Sequence, residues 1–308
     1  MRKILTLVVV ATLSTMICAQ KYKLELNLKM GAVYTQNITS KAVMEQTSNG
    51  KTQNSDISTT GKITYKVVGV KDSIYDLETR YESLSIKVKV NSDNSYLAIS
   101  SEKKDKADML STALSGITNK PFKIMMSKSG KVVDMQNIES FFSTIFNDLN
   151  LDKDFKNQQI MDQLDKSFGN KTLKANLEKN FAIFPKLPVS VGDSWTSTSN
   201  YDLGLSARSE TTYELLGIVD NCYLIKGTLK INSENKDEYK DLNGIQAKSD
   251  ISGLYTSTTR IDKKTGWINE QSIKYDMTSK IKVKEMPQLP DGLTMDMKMT
   301  MDMLVNAK

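Results

Sequence analysis

Hydrophobic residues in this chain recur mainly at period two. Near the start, Leu24, Leu26 and Leu28 alternate with Lys23, Glu25, Asn27 and Lys29. That alternation predicts a half-buried strand, ended by Gly31 before Val33 and Tyr34. The polar, Thr/Ser-rich run from Asn37 to Asp56 contains Asn49-Gly50, a pair suited to a tight hairpin because both residues tolerate positive φ. Tyr34–Gln46 and Gln53–Val70 are therefore expected to pair as long strands. A turn at Val70–Ser73 sends Ile74–Val90 back. There Leu84, Ile86, Val88 and Val90 alternate with Ser83, Ser85, Lys87 and Lys89, the pattern of an antiparallel sheet with one solvated face. Near the end, Met295, Met297, Met299, Met301 and Met303 share one face of a strand. Asp296, Lys298, Thr300 and Asp302 take the other.

Helical spacing appears in two places. Ala107, Leu110, Ala113 and Leu114 predict a short helix over Lys103–Gly116, with Gly116 as its stop. A longer helical stretch covers residues 137–181. Ile138, Phe141, Phe142, Ile145, Phe146 and Leu149 form its first apolar face. A second helix over Asp154–Phe168 and a third over Lys171–Phe181, with Leu173, Leu177 and Phe181 inward, complete it.

The chain also repeats itself. Tyr65–Leu77 reads YKVVGVKDSIYDL and Tyr213–Ile225 reads YELLGIVDNCYLI, so Tyr65, Gly69, Asp72 and Tyr75 match Tyr213, Gly217, Asp220 and Tyr223. Upstream, Gly31 and Tyr34 fall on Gly192 and Trp195. Downstream, Lys128, Ser129 and Gly130 fall on Lys264, Thr265 and Gly266, where a glycine suits a hairpin loop with positive φ. The same anchors in the same order imply a tandem duplication. The expected fold is mainly β (α+β): a curved antiparallel sheet or half-barrel of two duplicated β units with an inserted helical segment. Its divisions are a leader at residues 1–19, then one domain over 20–308. That domain holds a first unit at about 22–136, the helical insert at about 137–184 and a second unit at about 185–304. The helices either pack onto the sheet or form a lid over an apolar cavity.

Composition adds mainly exclusions. Arg2 and Lys3, the apolar run Ile4–Leu13 and Ala19 before Gln20 make a secretory signal peptide, too short for a stable membrane span. Cys18 is preceded by Ile17, where a lipoprotein signal wants Gly, Ala or Ser, so a lipid anchor is not expected. Export then places the protein in the periplasm or at the outer membrane. The formal net charge of +6 is scattered, with Lys103-Lys104 flanked by Glu102 and Asp105, and no nucleic-acid footprint emerges. Past the leader, Cys222 has no partner for a disulfide and reads as a small buried residue. The chain has 0 histidines. That removes Ser-His and Cys-His nucleophile pairs and the commonest zinc sites. Asp72 and Asp220 read as turn residues rather than an acid–base pair. Asp193-Ser194-Trp195 has a serine without a base. No enzyme, cofactor or metal is expected.

The methionine strand has three readings. It fills an irregular core, it forms a soft wall for an acyl chain or other apolar ligand, or it binds Cu(I) through thioethers. Missing histidine and thiolate partners count against copper. So does the spacing, because alternate side chains along one strand stand ~7 Å apart.

The leader ending Cys-Ala-Gln, the opening LKMGAVYT, the LPVSVGDSW block and the DKKTGW hairpin together resemble a family of secreted Bacteroidota proteins known as a domain of unknown function. The resemblance spans nearly all of the mature chain and implies no functional residue. More distantly, a curved sheet with helices laid over it is similar to periplasmic lipoprotein carriers, which implies lipid binding by analogy of fold. Asp72-Ser73-Ile74 also matches the Asp-Ser/Thr-apolar pattern for O-glycosylation in such organisms, at Ser73. The function expected is that of a non-enzymatic envelope protein binding a lipid or other apolar ligand, with Phe141, Phe142, Phe146, Met297 and Met299 as its walls. The alternative is a structural or protein-interaction module with a full core.

Overall fold

The computed structural model describes residues 20–91, 95–103, 108–138, 169–201, 207–233, 236–242, 245–286 and 289–307. It is a mainly β protein. The strands in chain order are β1 (Val33–Ser48), β2 (Lys51–Lys71), β3 (Ile74–Val90), β4 (Ser95–Ser100), β5 (Phe122–Ser127), β6 (Val132–Gln136), β7 (Ser194–Tyr201), β8 (Ala207–Val219), β9 (Cys222–Asn232), β10 (Lys240–Leu242), β11 (Ile245–Asp262), β12 (Ile268–Val283) and β13 (Leu293–Ala307). Two short helices are described: α1 (Met109–Ile117) and α2 (Asn170–Phe181).

All 13 strands form one antiparallel sheet in the order β6-β5-β3-β2-β1-β13-β12-β11-β9-β8-β7, with β4 beside β3 and β10 beside β11. The methionine strand β13 therefore lies in the middle, paired with β1 on one side and β12 on the other. The sheet bends strongly. Laid flat, its main path would be roughly 50 Å wide. Yet α2, 12 residues long and so only ~18 Å, touches both ends of that path, β6 and β7.

The repeated segments adopt the same local geometry. Asp72-Ser73 and Asp220-Asn221 all have positive φ, from 47° to 68°, as tight hairpins matching the strand twist require. The ladder shifts register between Val67 and Gly69 in one unit and between Leu215 and Gly217 in the other. Gly31 N donates to the Val67 carbonyl (2.9 Å), as Gly192 N does to that of Leu215 (2.8 Å). Asn49-Gly50 forms the expected turn, with φ of 50° and 72°.

Two expectations need correction. Residues 23–29 alternate as expected, with Leu24, Leu26 and Leu28 at 3%, 0% and 5% exposure, but they do not enter the sheet. They run across the hairpin ends instead. Leu26 N donates to the Lys128 carbonyl (2.8 Å) and Asn27 N to that of Thr265 (2.7 Å), residues one position apart in the two corresponding loops. The first helix is shorter than its sequence pattern. Asp108 caps it by accepting from Ser111 N (3.0 Å) and Oγ (2.8 Å), and Gly116 lies inside it rather than after it. The predicted third helix matches α2, with Leu173, Leu177 and Phe181 buried. The faces predicted for residues 139–168 lie outside the described residues.

Candidate functional site

The inner face of the sheet divides into a filled end and an open end. The filled end lies under the hairpin turns. Here the N-terminal segment acts as a plug, held by the same tyrosine of each unit. Tyr75 Oη donates to the Leu26 carbonyl (3.0 Å) and accepts from Leu28 N (3.3 Å). Tyr223 packs edge-on against Tyr22, with ring centroids 5.7 Å apart. Trp267 is the centre of the cluster beneath. Its ring lies 4.7 Å from Tyr34, 5.3 Å from Tyr65 and 5.2 Å from Phe181. Burial raises the Tyr65 phenol far above its usual range and the Tyr81 phenol to about 12.

Gly130 and Gly266 have positive φ, as hairpin loops demand, and also a second constraint that their sequence did not reveal. A Cβ on Gly130 would overlap the Phe181 carbonyl at 1.8 Å, and one on Gly266 the Glu25 carbonyl at 2.0 Å. Glycine there lets a second backbone pass over each turn.

Beyond this cluster a second, smaller core forms around Ile231, Ile251, Tyr255 and Ile273, and the inner face of β13 continues past it with half-buried methionines. The strand register sets them in rows, because residues directly opposite in an antiparallel pair project to the same side. Ala42, Met301 and Tyr275 form one row. Met44, Met299 and Met277 form the next, and Gln46, Met297 and Ser279 the one after. Met297 and Met299 thus stand side by side on β13 in the open part, both half-buried. Phe141, Phe142 and Phe146 lie outside the described residues.

At the boundary between the two ends, Tyr255 and Tyr275 pack against each other at 4.9 Å. Lys179 of α2 reaches over them, with its ammonium 4.1 Å from the Tyr275 ring and 5.4 Å from that of Tyr255. Aromatic faces attract such a cation. By surface area Lys179 keeps partial exposure, but desolvation of its ammonium end brings its pKa down to about 8. Met44, Met277, Tyr255, Tyr275 and Lys179 were all missed from sequence. The period-two spacing of Tyr275 and Met277 was the available signal, but it does not say which strands meet.

The outer face is different in kind. A groove of about 320 Å³ is lined by Glu45, Asp250, Lys280, Asp296 and Lys298 and also reaches Met297 between the last two. Another of about 380 Å³ lies among Tyr239, Lys282, Lys284 and Asp291. Both are polar and face solvent. Exposed pairs such as Lys280–Asp296 (3.4 Å) and Lys274–Asp302 (3.6 Å) cross that face and add little stability. Ser73 is exposed at the β2–β3 turn. Cys222 is buried. Among the described residues no cluster of three or more Cys, Asp and Glu could hold a metal ion.

These features define an antiparallel-sheet protein with a plugged end and a methionine-lined end. The chain belongs to the DUF6263 family, a family of unknown function, whose sequence pattern matches residues 72–268. No curated protein matches it. Among solved structures it is similar to lipovitellin, in a structure concerned with lipid–protein interactions, at 11% identity and a TM-score of 0.45. That match covers 89% of this chain and 25% of lipovitellin, so the chain spans about a quarter of that protein. It is also similar to a DUF1329 family protein from Desulfovibrio piger, at 11% identity, a TM-score of 0.15, and 86% and 84% coverage. The COG4313 outer membrane channel from Pseudomonas putida follows at 7% identity, a TM-score of 0.20, and 92% and 97% coverage. Likenesses of this strength transfer no ligand, residue or activity.

Proposed function

We propose that this is an exported, non-enzymatic envelope protein that binds a lipid or other apolar ligand along the open part of the sheet's inner face. The observation that carries the reading is the half-buried methionine face of β13, with Met297 and Met299 at its centre and Met44 and Met277 flanking Met299. Methionine is unbranched and deformable, so such a wall adapts to an acyl chain without a fixed shape. The Lys179 ammonium over Tyr275 supplies a polar boundary where the anionic end of an amphiphile would stop.

Export rests on Arg2, Lys3, the apolar run Ile4–Leu13 and Ala19. The non-enzymatic reading rests on the absence of histidine from the sequence. On the same reading the two units descend from one duplicated ancestor and act as a single domain. The matched register shifts and turns support this. O-glycosylation at Ser73 belongs to it too, and a Ser73→Ala variant would then lose a mass increment.

Native mass spectrometry of the mature protein, purified from its own envelope, tests the function. The expected result is a co-purifying mass of lipid size that disappears in a Met297→Asp variant of unchanged fold. A clean apoprotein mass would favour a structural or interaction module instead. The close aromatic packing around Trp267 at the plugged end would also suit that role.

A further inference from the structure

Along β13, successive methionines on the inner face stand ~7 Å apart, too far for neighbours to share one ion. Across the sheet the distances are shorter. Met44 is directly opposite Met299 on one side, and Met277 is directly opposite it on the other. We propose that Met44, Met299 and Met277 form a three-thioether site for a soft monovalent cation, of which Cu(I) is the biological example.

The geometry permits convergence. Directly opposed residues have Cβ atoms ~5 Å apart, so the outer two lie ~10 Å apart with Met299 between them. Each sulfur sits beyond Cγ on a flexible stem, so the outer two can lean toward the middle one. The bend of the sheet draws inner-face side chains closer still. The residues directly flanking the row are small, although Met277 also packs against a core cluster that includes Ile231, Ile251 and Tyr255. Ser55 is opposite Met44 on β2 and Gly253 is opposite Met277 on β11. A Cβ on Gly253 would meet the Met277 Cβ at 3.3 Å and the Asp276 carbonyl at 2.7 Å, so glycine there keeps that clash away from Met277. The neighbouring rows offer the small Ala42 and Ser279 beside Met301 and Met297.

The donor set determines the metal. Three neutral thioethers bind soft Cu(I) and its redox-inert substitute Ag(I), and offer little to Zn(II), Cu(II), Mg(II) or Ca(II), which prefer imidazole, thiolate or oxygen. The sequence offers copper no histidine or thiolate partner, and the cross-strand row supplies three thioethers in their place. The proposal does not depend on a lipid occupying the face.

The test is a titration of the full mature chain with Ag(I), and anaerobically with Cu(I), against a chromophoric chelator, with stoichiometry read by native mass spectrometry. One ion per chain is expected, with no retention of Zn(II). Met44→Leu, Met277→Leu and Met299→Leu should each weaken binding at least tenfold, whereas Met295→Leu should change it less than twofold. Leucine conserves volume, and an unchanged melting curve verifies that each variant folds. X-ray absorption of the loaded protein should show a shell of sulfur alone. Failure to retain Ag(I) against the chelator, or unchanged affinity when all three methionines are leucine, would overturn the proposal.

Discussion

The filled and open ends of the sheet are made from the same strands but differ in how they are closed. Under the turns, a separate segment crosses the hairpins and brings Leu24, Leu26 and Leu28 into the interior. Rigid aromatic residues from both units then meet around Trp267. At the open end the methionines of β13 stay half-buried, between small or polar neighbours such as Ala42, Gln46 and Ser279. The contrast is one of material as well as shape. Aromatic rings have defined packing geometries and lose contacts steeply when removed. Methionine tolerates a changing neighbour. One end is suited to hold the fold and the other to accommodate something.

The largest effect is expected at the filled end. Trp267→Ala should destabilise the protein by ~3–5 kcal/mol, since it leaves a cavity bounded by Tyr34, Tyr65 and Phe181. Denaturant unfolding would measure it, and a loss under ~1 kcal/mol would mean that the plugged end is not the stability core.

A smaller effect is expected at the boundary. The folded pKa of Lys179, about 8, lies below its usual 10.5. The unfolded chain therefore binds more protons between those values, and stability should rise with pH through that window. The rise is roughly 1–2 kcal/mol after allowance for partial exposure. It should vanish in Lys179→Met. Melting curves from pH 8 to about 9.5 test this below the range where tyrosine ionisation of the unfolded chain opposes it.

The smallest effect belongs to the open end. Met297→Leu should change stability by less than ~1 kcal/mol, because volume is kept and the site is half-buried. A loss comparable to that of Trp267→Ala would erase the distinction between the two ends.

Much of the strand framework was legible because its punctuation is local. Asn49-Gly50, Asp72 and Asp220-Asn221 are residue types that tolerate positive φ, and all of them adopt it. Tyr65 and Tyr213 could be aligned because each carries the same glycine and aspartate downstream. What a segment packs against is not local. Leu24, Leu26 and Leu28 alternate alike whether their strand joins a sheet or lies across its end. The partner groups that decide between these, Tyr75 and the Lys128 and Thr265 carbonyls, come from distant parts of the chain. The methionine face had the same limit. Period two identified Met297 and Met299 as neighbours along a strand, but the meeting of Met299 with Met44 and Met277 depends on long-range register. Gly130 and Gly266 were read correctly as turn residues, yet the crossing backbones of Phe181 and Glu25 constrain them as strongly.

The central position of β13 has a consequence for how the chain reaches this state. The first and last strands in the order of the sheet's own synthesis, β1 and β13, pair along their length, from Gln36 with Ala307 to Ser48 with Met295. Until β13 arrives, β1 and β12 each present an unpaired edge, and such edges invite pairing between chains. The seam closes a loop of more than two hundred residues, a slow kind of contact to form. Until that seam forms, the chain holds two meanders, each with an open margin, and such margins leave an incomplete fold prone to association.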